Sequence, residues 1–278
     1  MILRFNLSEA LFLSNLFFMG DHLKKISKLK KLNFAARQNF HFDKKRAEKY
    51  ENAHDYRTRT FDWMAKTIRP CLAQAESALD VGTGTGDLVR SIKIKGVFTG
   101  LDVSKNMLDV ARKKCSHGNF VLGNAYSLPF DDESFEVVIY KYALHHLKRP
   151  LNSLIEAFRV MKNNGQVIIA DVASFKNKSH HSIFKKLNSL REPANYEYRT
   201  IETILRLLDK AGFKKARIVK KDFNLILEDW LNHFYEPEKT INLVLDSPIS
   251  FKEVIRLKSL SNQKHQITLT SFVVTAKK

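Results

Sequence analysis

At 278 residues and 44% hydrophobic composition, the chain can bury one full core, a single α/β domain with an elaboration. The net charge of +18 suits a polyanion such as nucleic acid or an anionic membrane surface, but the lysines are spread along the whole length, and no RNP-type segment, paired Cys/His spacing or basic heptad accompanies them. Cys71 and Cys115 are too few for a disulfide framework or a zinc site, so a cytoplasmic, reducing location is expected.

Residues 1–41 read as an N-terminal extension. The apolar run ALFLSNLFFMG falls far short of the ~20 residues a membrane span needs, and Glu9 with no A-x-A pattern argues against a signal peptide. With HLKKISKLKK behind it, the segment could make weak contact with anionic lipid. From Phe42 to Ile68 the apolar spacing is helical, through Ala47, Tyr50, His54, Phe61, Met64, Ala65 and Ile68, and Pro70 is expected to end the helix.

Strand-like and helix-like runs then alternate: SALDV and GDLVRSIK, GVFTGLDV and SKNMLDVARKK, NFVLGNA and a loop, EVVIYKYA and LNSLIEAFRVMK, then GQVIIADVA and a longer helical region. Such alternation predicts βαβ units and a mainly parallel sheet. Ser104 stands as an N-cap, Asn163-Asn164-Gly165 is expected to close the helix before it, and Pro129 with Asp131-Asp132 marks a turn before a strand at Phe135. After TIETILRLLDKAGF come the strands KARIVKKDF and QITLTSFVVTAKK, separated by a helical excursion carrying Trp230, His233, Phe234 and Tyr235. An insertion of that kind beside a cleft commonly sets substrate choice.

In an open α/β sheet the ligand lies beyond the C-terminal strand ends, where strand order reverses. That rule selects LDVGTGTG after the first strand, Asp102 after the second, Asn124-Ala125 after the third and Tyr140 to His146 after the fourth. Gly82, Gly84 and Gly86 alternate, and Asp87 occupies the last position of G-x-G-x-x-G, so the dinucleotide pattern fails. Asp102 lies at the spacing for a ribose diol, while Asp80 beside the glycine turn disfavours a pyrophosphate and favours an ammonium or sulfonium group. S-adenosylmethionine combines these features with adenine. Nicotinamide chemistry is the least favoured alternative.

The segments LDVGTGTG, GLDVSKNMLDVAR, GNAYSLPFDDESFEVV, YALHHL and RVMKNNGQVII, in that order, resemble the motif series of the class I S-adenosylmethionine-dependent methyltransferases. The resemblance is to the small-molecule group that includes the ubiquinone/menaquinone biosynthesis C-methyltransferases, and it runs from about Phe42 to Gly212. It implies a Rossmann-like α/β fold over residues 42–278, with a mainly parallel seven-stranded sheet, helices on both faces, an antiparallel last strand, and helical insertions near 173–200 and 226–264.

It also implies site roles. Gly82 and Gly84, with Thr83 between them, would pass close to the cofactor's methionine end, Asp80 would hold its amino group, Asp102 beside Val103 its ribose, and Met107 would pack on adenine. Asn124, next to Ala125, stands where an aspartate is usual, and its carbonyl could still accept from the adenine amino group. Lys141 replaces a small or neutral residue and is tolerable near a sulfonium only if it points away. Tyr50 resembles an aromatic lid.

Methyl transfer to a small-molecule acceptor, leaving S-adenosylhomocysteine, is an in-line displacement needing alignment more than catalytic side chains. If the acceptor must lose a proton, His145 and His146, with Tyr142 nearby, are candidate bases. Two alternatives stand beside this reading. A nucleic-acid methyltransferase lacks its N-P-P-Y type tetrad, since Tyr140-Lys141-Tyr142-Ala143 stands there, and Pro70-Cys71 lies on the wrong side of the glycine loop for a cytosine-5 enzyme. A non-catalytic module binding the cofactor is the other. Oligomeric state is unassigned.

Overall fold

The computed structural model describes residues 56–278, apart from 193, 232–236 and 262. The N-terminal extension, the first part of the helix expected from Phe42, Tyr50, and His233, Phe234 and Tyr235 lie outside the described residues.

The first described helix, α1 (Tyr56–Leu72), buries Met64, Ala65, Ile68 and Leu72 on one face. Pro70 does not end it. The proline sits in the last turn, where its missing N–H forfeits a single helical bond, and the chain leaves only after Leu72, with Ala73 N donating to Arg69 O at 3.0 Å.

Then follow β1 (Ser77–Val81), α2 (Asp87–Ser91), β2 (Val97–Asp102), α3 (Lys105–Lys114), β3 (Asn119–Leu122), β4 (Phe135–Lys141), α4 (Pro150–Val160), β5 (Met161–Val172), α5 (Lys178–Arg191), α6 (Ile201–Lys210) and β6 (Lys214–Ile226). The chain continues through α7 (Leu227–Leu231), α8 (Pro237–Leu245), α9 (Ile249–Val254), β7 (Lys258–Ser259) and β8 (His265–Lys277). The sheet order is β3-β2-β1-β4-β5-β8-β6, with the two-residue β7 added on β8. Strands β1 to β5 pair in parallel, and β8 runs antiparallel to both β5 and β6. The fold is therefore the mainly parallel α/β arrangement expected, with strand order reversing between β1 and β4.

The inner parallel strands β1 and β4 and the C-terminal half of β5 are buried on both faces, which is why they read as continuous apolar runs. On one face Met64, Leu88 and Leu108 of α1, α2 and α3 share a core with Val137 and Ile168, and on the other Leu154 and Leu208 of α4 and α6 pack with Tyr140 and Val274. The β6/β8 ladder continues beyond Val172, the last residue of β5, as far as Ile226 and Gln266. On this overhang Leu225, Ile267 and Leu269 support a separate aromatic-rich cluster with Phe184, Tyr198, Leu231, Val244 and Phe251. The segments 173–200 and 226–264 thus gather at the C-terminal end of the parallel strands.

One expected boundary is corrected. Helix α4 stops at Val160, and Met161 to Gly165 already belong to β5. Asn164 does adopt the left-handed conformation (φ 62°), but it does so within the strand, where the register against β4 shifts between Phe135 and Val137. The same backbone tolerance that suits a helix terminus serves here as a bulge. Ser104, in contrast, is the N-cap of α3 and accepts from Met107 N at 3.4 Å. No helix of the described residues is long and apolar enough to cross a membrane.

Candidate active site

At the reversal between β1 and β4 lies an open cleft of about 610 Å³, lined by Gly82, Gly84, Asp102, Val103, Met107, Ala125, Tyr142 and His146, together with Val81, Leu101, Gly123, Tyr140, Ala143 and Leu147. The glycine loop forms its floor because backbone bonds pin it to β2: Gly82 N and Thr83 N both donate to Leu101 O, at 2.8 and 3.0 Å. Gly82 has φ 76°, and a Cβ there would stand 2.7 Å from the Ala143 side chain. Gly84 has φ 57°, a left-handed backbone that favours glycine, and a Cβ there would point into open space.

Asp102 is held at both oxygens. Oδ2 accepts from Gly84 N at 2.9 Å and Oδ1 from Ser104 N at 2.8 Å, so the carboxylate ties the glycine loop to the start of α3 while facing the cleft. Burial raises its pKa, against the opposing pull of the backbone N–H groups of Ser104, Gly84 and Val103. Asp80 lies behind the loop, almost wholly buried at 1% exposure, and outside the cleft lining. Burial pushes its pKa from 3.8 to about 6, with Lys141 and the Thr83 hydroxyl pulling the other way. Neither Asp80 oxygen has a well-formed hydrogen bond among the described residues, nor do the buried hydroxyls of Thr83 and Thr85. A buried acidic pocket of this kind beside a glycine turn fits a ligand that brings its own N–H donors and positive charge.

Asn124 does not line the cleft. Its Oδ1 accepts from Tyr126 N at 3.0 Å in an Asx-type turn, using one of the two lone pairs of the carbonyl expected to reach adenine. Lys141 is turned toward α1, with Nζ 4.8 Å from the Phe61 ring centre and 5.3 Å from that of Tyr142. Its charge lies against aromatic faces outside the cleft lining while still acting on Asp80. Tyr142 lines the cleft in a left-handed backbone (φ 53°), a costly conformation for a tyrosine.

The two histidines separate. His146 lines the cleft, whereas His145 is buried at 4% and lies behind it. His145 Nδ1 sits 2.9 and 3.1 Å from the Asp171 carboxylate oxygens, and its ring stacks between His146 and Tyr198, each at 4.3 Å between centres. His146 Nδ1 meets Ala194 O at 3.3 Å, and its Nε2 faces Glu192 Oε1 at 3.7 Å. Asp171, at the C-terminal end of β5, was findable by the strand-end rule. Glu192 and Tyr198 lie in the insertion after β5 and carried no sequence signal. The apolar wall of Leu101, Gly123, Ala143 and Leu147 was equally hidden among ordinary core residues.

Comparison with known proteins identifies relatives of this chain. Residues 79–169 match the methyltransferase domain family. A demethylmenaquinone methyltransferase of Lactococcus lactis is 30% identical over 65% of this chain and 83% of its own length. One of Thermotoga maritima is 33% identical over 45% of this chain, a match spanning 58% of that relative. The crystal structure of the YcgJ protein from Bacillus subtilis superposes with a TM-score of 0.71 at 22% identity, covering 80% of this chain and 98% of that one, a likeness of fold. Fold and cleft define an S-adenosylmethionine-dependent enzyme, and the chain belongs to the class I S-adenosylmethionine-dependent methyltransferases. Within that family it stands with the small-molecule group.

Proposed function

We propose that the chain methylates a flat, largely apolar acceptor with a ring hydroxyl, of the quinol kind that the names of its demethylmenaquinone methyltransferase relatives indicate. The observation that carries this reading is the cleft itself. The Asp102-clamped glycine loop, with Ala143 packed against it, forms one side, and Tyr142, His146 and Leu147 line the rest, Tyr142 also packing on the aromatic cluster built by the insertions.

In this reading Asp102 holds the cofactor's ribose hydroxyls, Val103, Met107 and Ala125 enclose its adenine, and the backbone at Gly82 and Gly84 admits its methionine end. Asp80, in ionised form, balances the ammonium group from behind the loop. When bound, S-adenosylmethionine supplies an activated methyl group and its own leaving group. The protein aligns the acceptor, excludes water and holds the acceptor oxygen at His146. His145 touches neither partner directly; stacked on His146 and anchored to Asp171, it fixes the orientation of that ring.

Calorimetric titration with S-adenosylhomocysteine tests the cofactor half. Micromolar binding is expected for the wild type and none for Asp102→Ala. The acceptor half is tested by methyl transfer from labelled S-adenosylmethionine to a demethylmenaquinol: His146→Ala should lose at least tenfold in kcat while S-adenosylhomocysteine affinity stays within a factor of a few. Binding without transfer to any quinol would discard the acceptor and leave the cofactor site standing.

A further inference from the structure

His146 reaches the cleft from a one-turn helix, Leu144–His146, which bonds internally only through His146 N to Ala143 O and Leu147 N to Leu144 O, both at 3.1 Å. A turn this short has little stiffness of its own, and its last carbonyls have no helical partners. The segment between α5 and α6 supplies both. His145 O accepts from Tyr196 N and Glu197 N, each at 2.9 Å. Arg199 Nη1 donates to Leu144 O at 2.8 Å and Nη2 to Leu147 O at 2.6 Å, so one guanidinium spans the turn from its first residue to the residue after its last. Nη1 also donates to Glu197 O at 3.1 Å. Among the described residues every hydrogen bond of this side chain therefore goes to a backbone carbonyl and none to a carboxylate, although Arg199 is only 8% exposed.

Keeping a guanidinium in such a place is costly, and burial lowers its pKa against the opposing pull of the Glu197 and Asp171 charges. Space alone could be filled by an apolar side chain without that cost. The backing is also rigid: Arg199 O accepts from Ser174 N at 3.0 Å, next to the end of β5, and the following residue, Thr200, is the N-cap of α6. Glu197 Oε1 is held by Lys185 Nζ at 3.1 Å and lies 2.9 Å from His181 Nε2, both on α5.

We infer that Arg199 is a positioning residue for methyl transfer, its guanidinium fork locking the turn that presents His146 to the acceptor. The insertion after β5 thus sets the geometry at the acceptor without contributing a group that touches it. The inference rests on the proposed role of His146, and its test separates the two.

The full chain is compared with Arg199→Met, which removes the fork, and Arg199→Lys, which keeps the charge but cannot bridge two carbonyls. S-adenosylhomocysteine affinity and KM for S-adenosylmethionine should stay within a factor of a few, because Arg199 does not line the cleft. Transfer to a demethylmenaquinol should fall at least tenfold in kcat for Arg199→Met, and Arg199→Lys should regain only part of the loss. Heteronuclear NMR of the imidazole nitrogens supplies a readout that needs no acceptor. The wild-type ring of His146 should carry its hydrogen on Nδ1, which faces Ala194 O at 3.3 Å, and both variants should show mixed tautomers. Wild-type kcat with unchanged His146 signals in either variant, whatever its melting temperature, would overturn the assignment and leave Arg199 a purely structural residue. Should Arg199→Met fail to bind S-adenosylhomocysteine, Arg199→Lys carries both readouts. Altered His146 signals in the variants, beside a wild type that methylates no quinol, would sustain the hold of Arg199 on the turn and sink the acceptor reading instead.

Discussion

Asp80 illustrates how a single residue trades stability for binding. Its folded-state pKa of about 6 lies above the ordinary 3.8, so the folded chain holds this proton more tightly than the unfolded one. Stability is therefore lost as pH rises from about 4 to about 6 and stays lost above, a cost of roughly 3 kcal/mol at most. Asp80→Asn should melt higher than wild type at pH 7.5 in the absence of ligand, by on the order of 2–4 °C for each kcal/mol recovered. It should also bind S-adenosylhomocysteine at least tenfold more weakly. For the wild type, affinity should decline as pH falls below about 6, because the protonated carboxyl no longer balances an ammonium group, and this decline should vanish in the variant. The residues of this half of the site were legible because they are local: the glycine loop, Asp102 and Met107 lie within one βαβ unit. The turn that the Asn124 carbonyl closes on Tyr126 was not legible in the spacing. The roles of His145 and His146 could not be told apart from a dipeptide, because Asp171 and Glu192, remote in sequence, decide them.

At the scale of elements, loop and helix α3 act as one device joined through Asp102. Removing the cap with Ser104→Ala should cost about 1 kcal/mol, read as a lower melting temperature with the pocket weakened but present. Gly82→Ala is harsher, for the added methyl meets the Ala143 side chain and the backbone is left-handed. It should abolish S-adenosylhomocysteine binding, with loss of stability on the order of 1–3 kcal/mol. Elements with clear punctuation were read correctly from sequence, α3 from its cap and the parallel strands from their apolar runs. The boundary between α4 and β5 was not, since Asn-Asn-Gly permits a positive φ without saying whether a helix ends there or a strand bulges. Likewise Pro70 permits one more half turn when it falls where few helical bonds remain to be lost.

For the whole molecule, β8 ties β6 to the five parallel strands. Its Val274 is fully buried and stands between Ile169 of β5 and Ile218 of β6. Val274→Pro would remove a ladder donor from an interior strand, a loss of ~3 kcal/mol or more, and the purified chain should show no cooperative melt above room temperature. On the outside, β6 exposes Ile218 and Val219 among Lys214, Lys215, Lys220 and Lys221, so part of the large positive charge guards a sheet edge against pairing with other chains. The order of strands has a consequence for biosynthesis. Among the described residues β6 pairs only with β8, and β8 follows the other described strands and the helices α7 to α9 in the chain. While those helices are being translated, β5 and β6 both stand at the ribosome with bare edges. A stall in that window invites a neighbouring nascent chain to donate its own β8, so exchange of that strand between copies is the misassembly this topology favours.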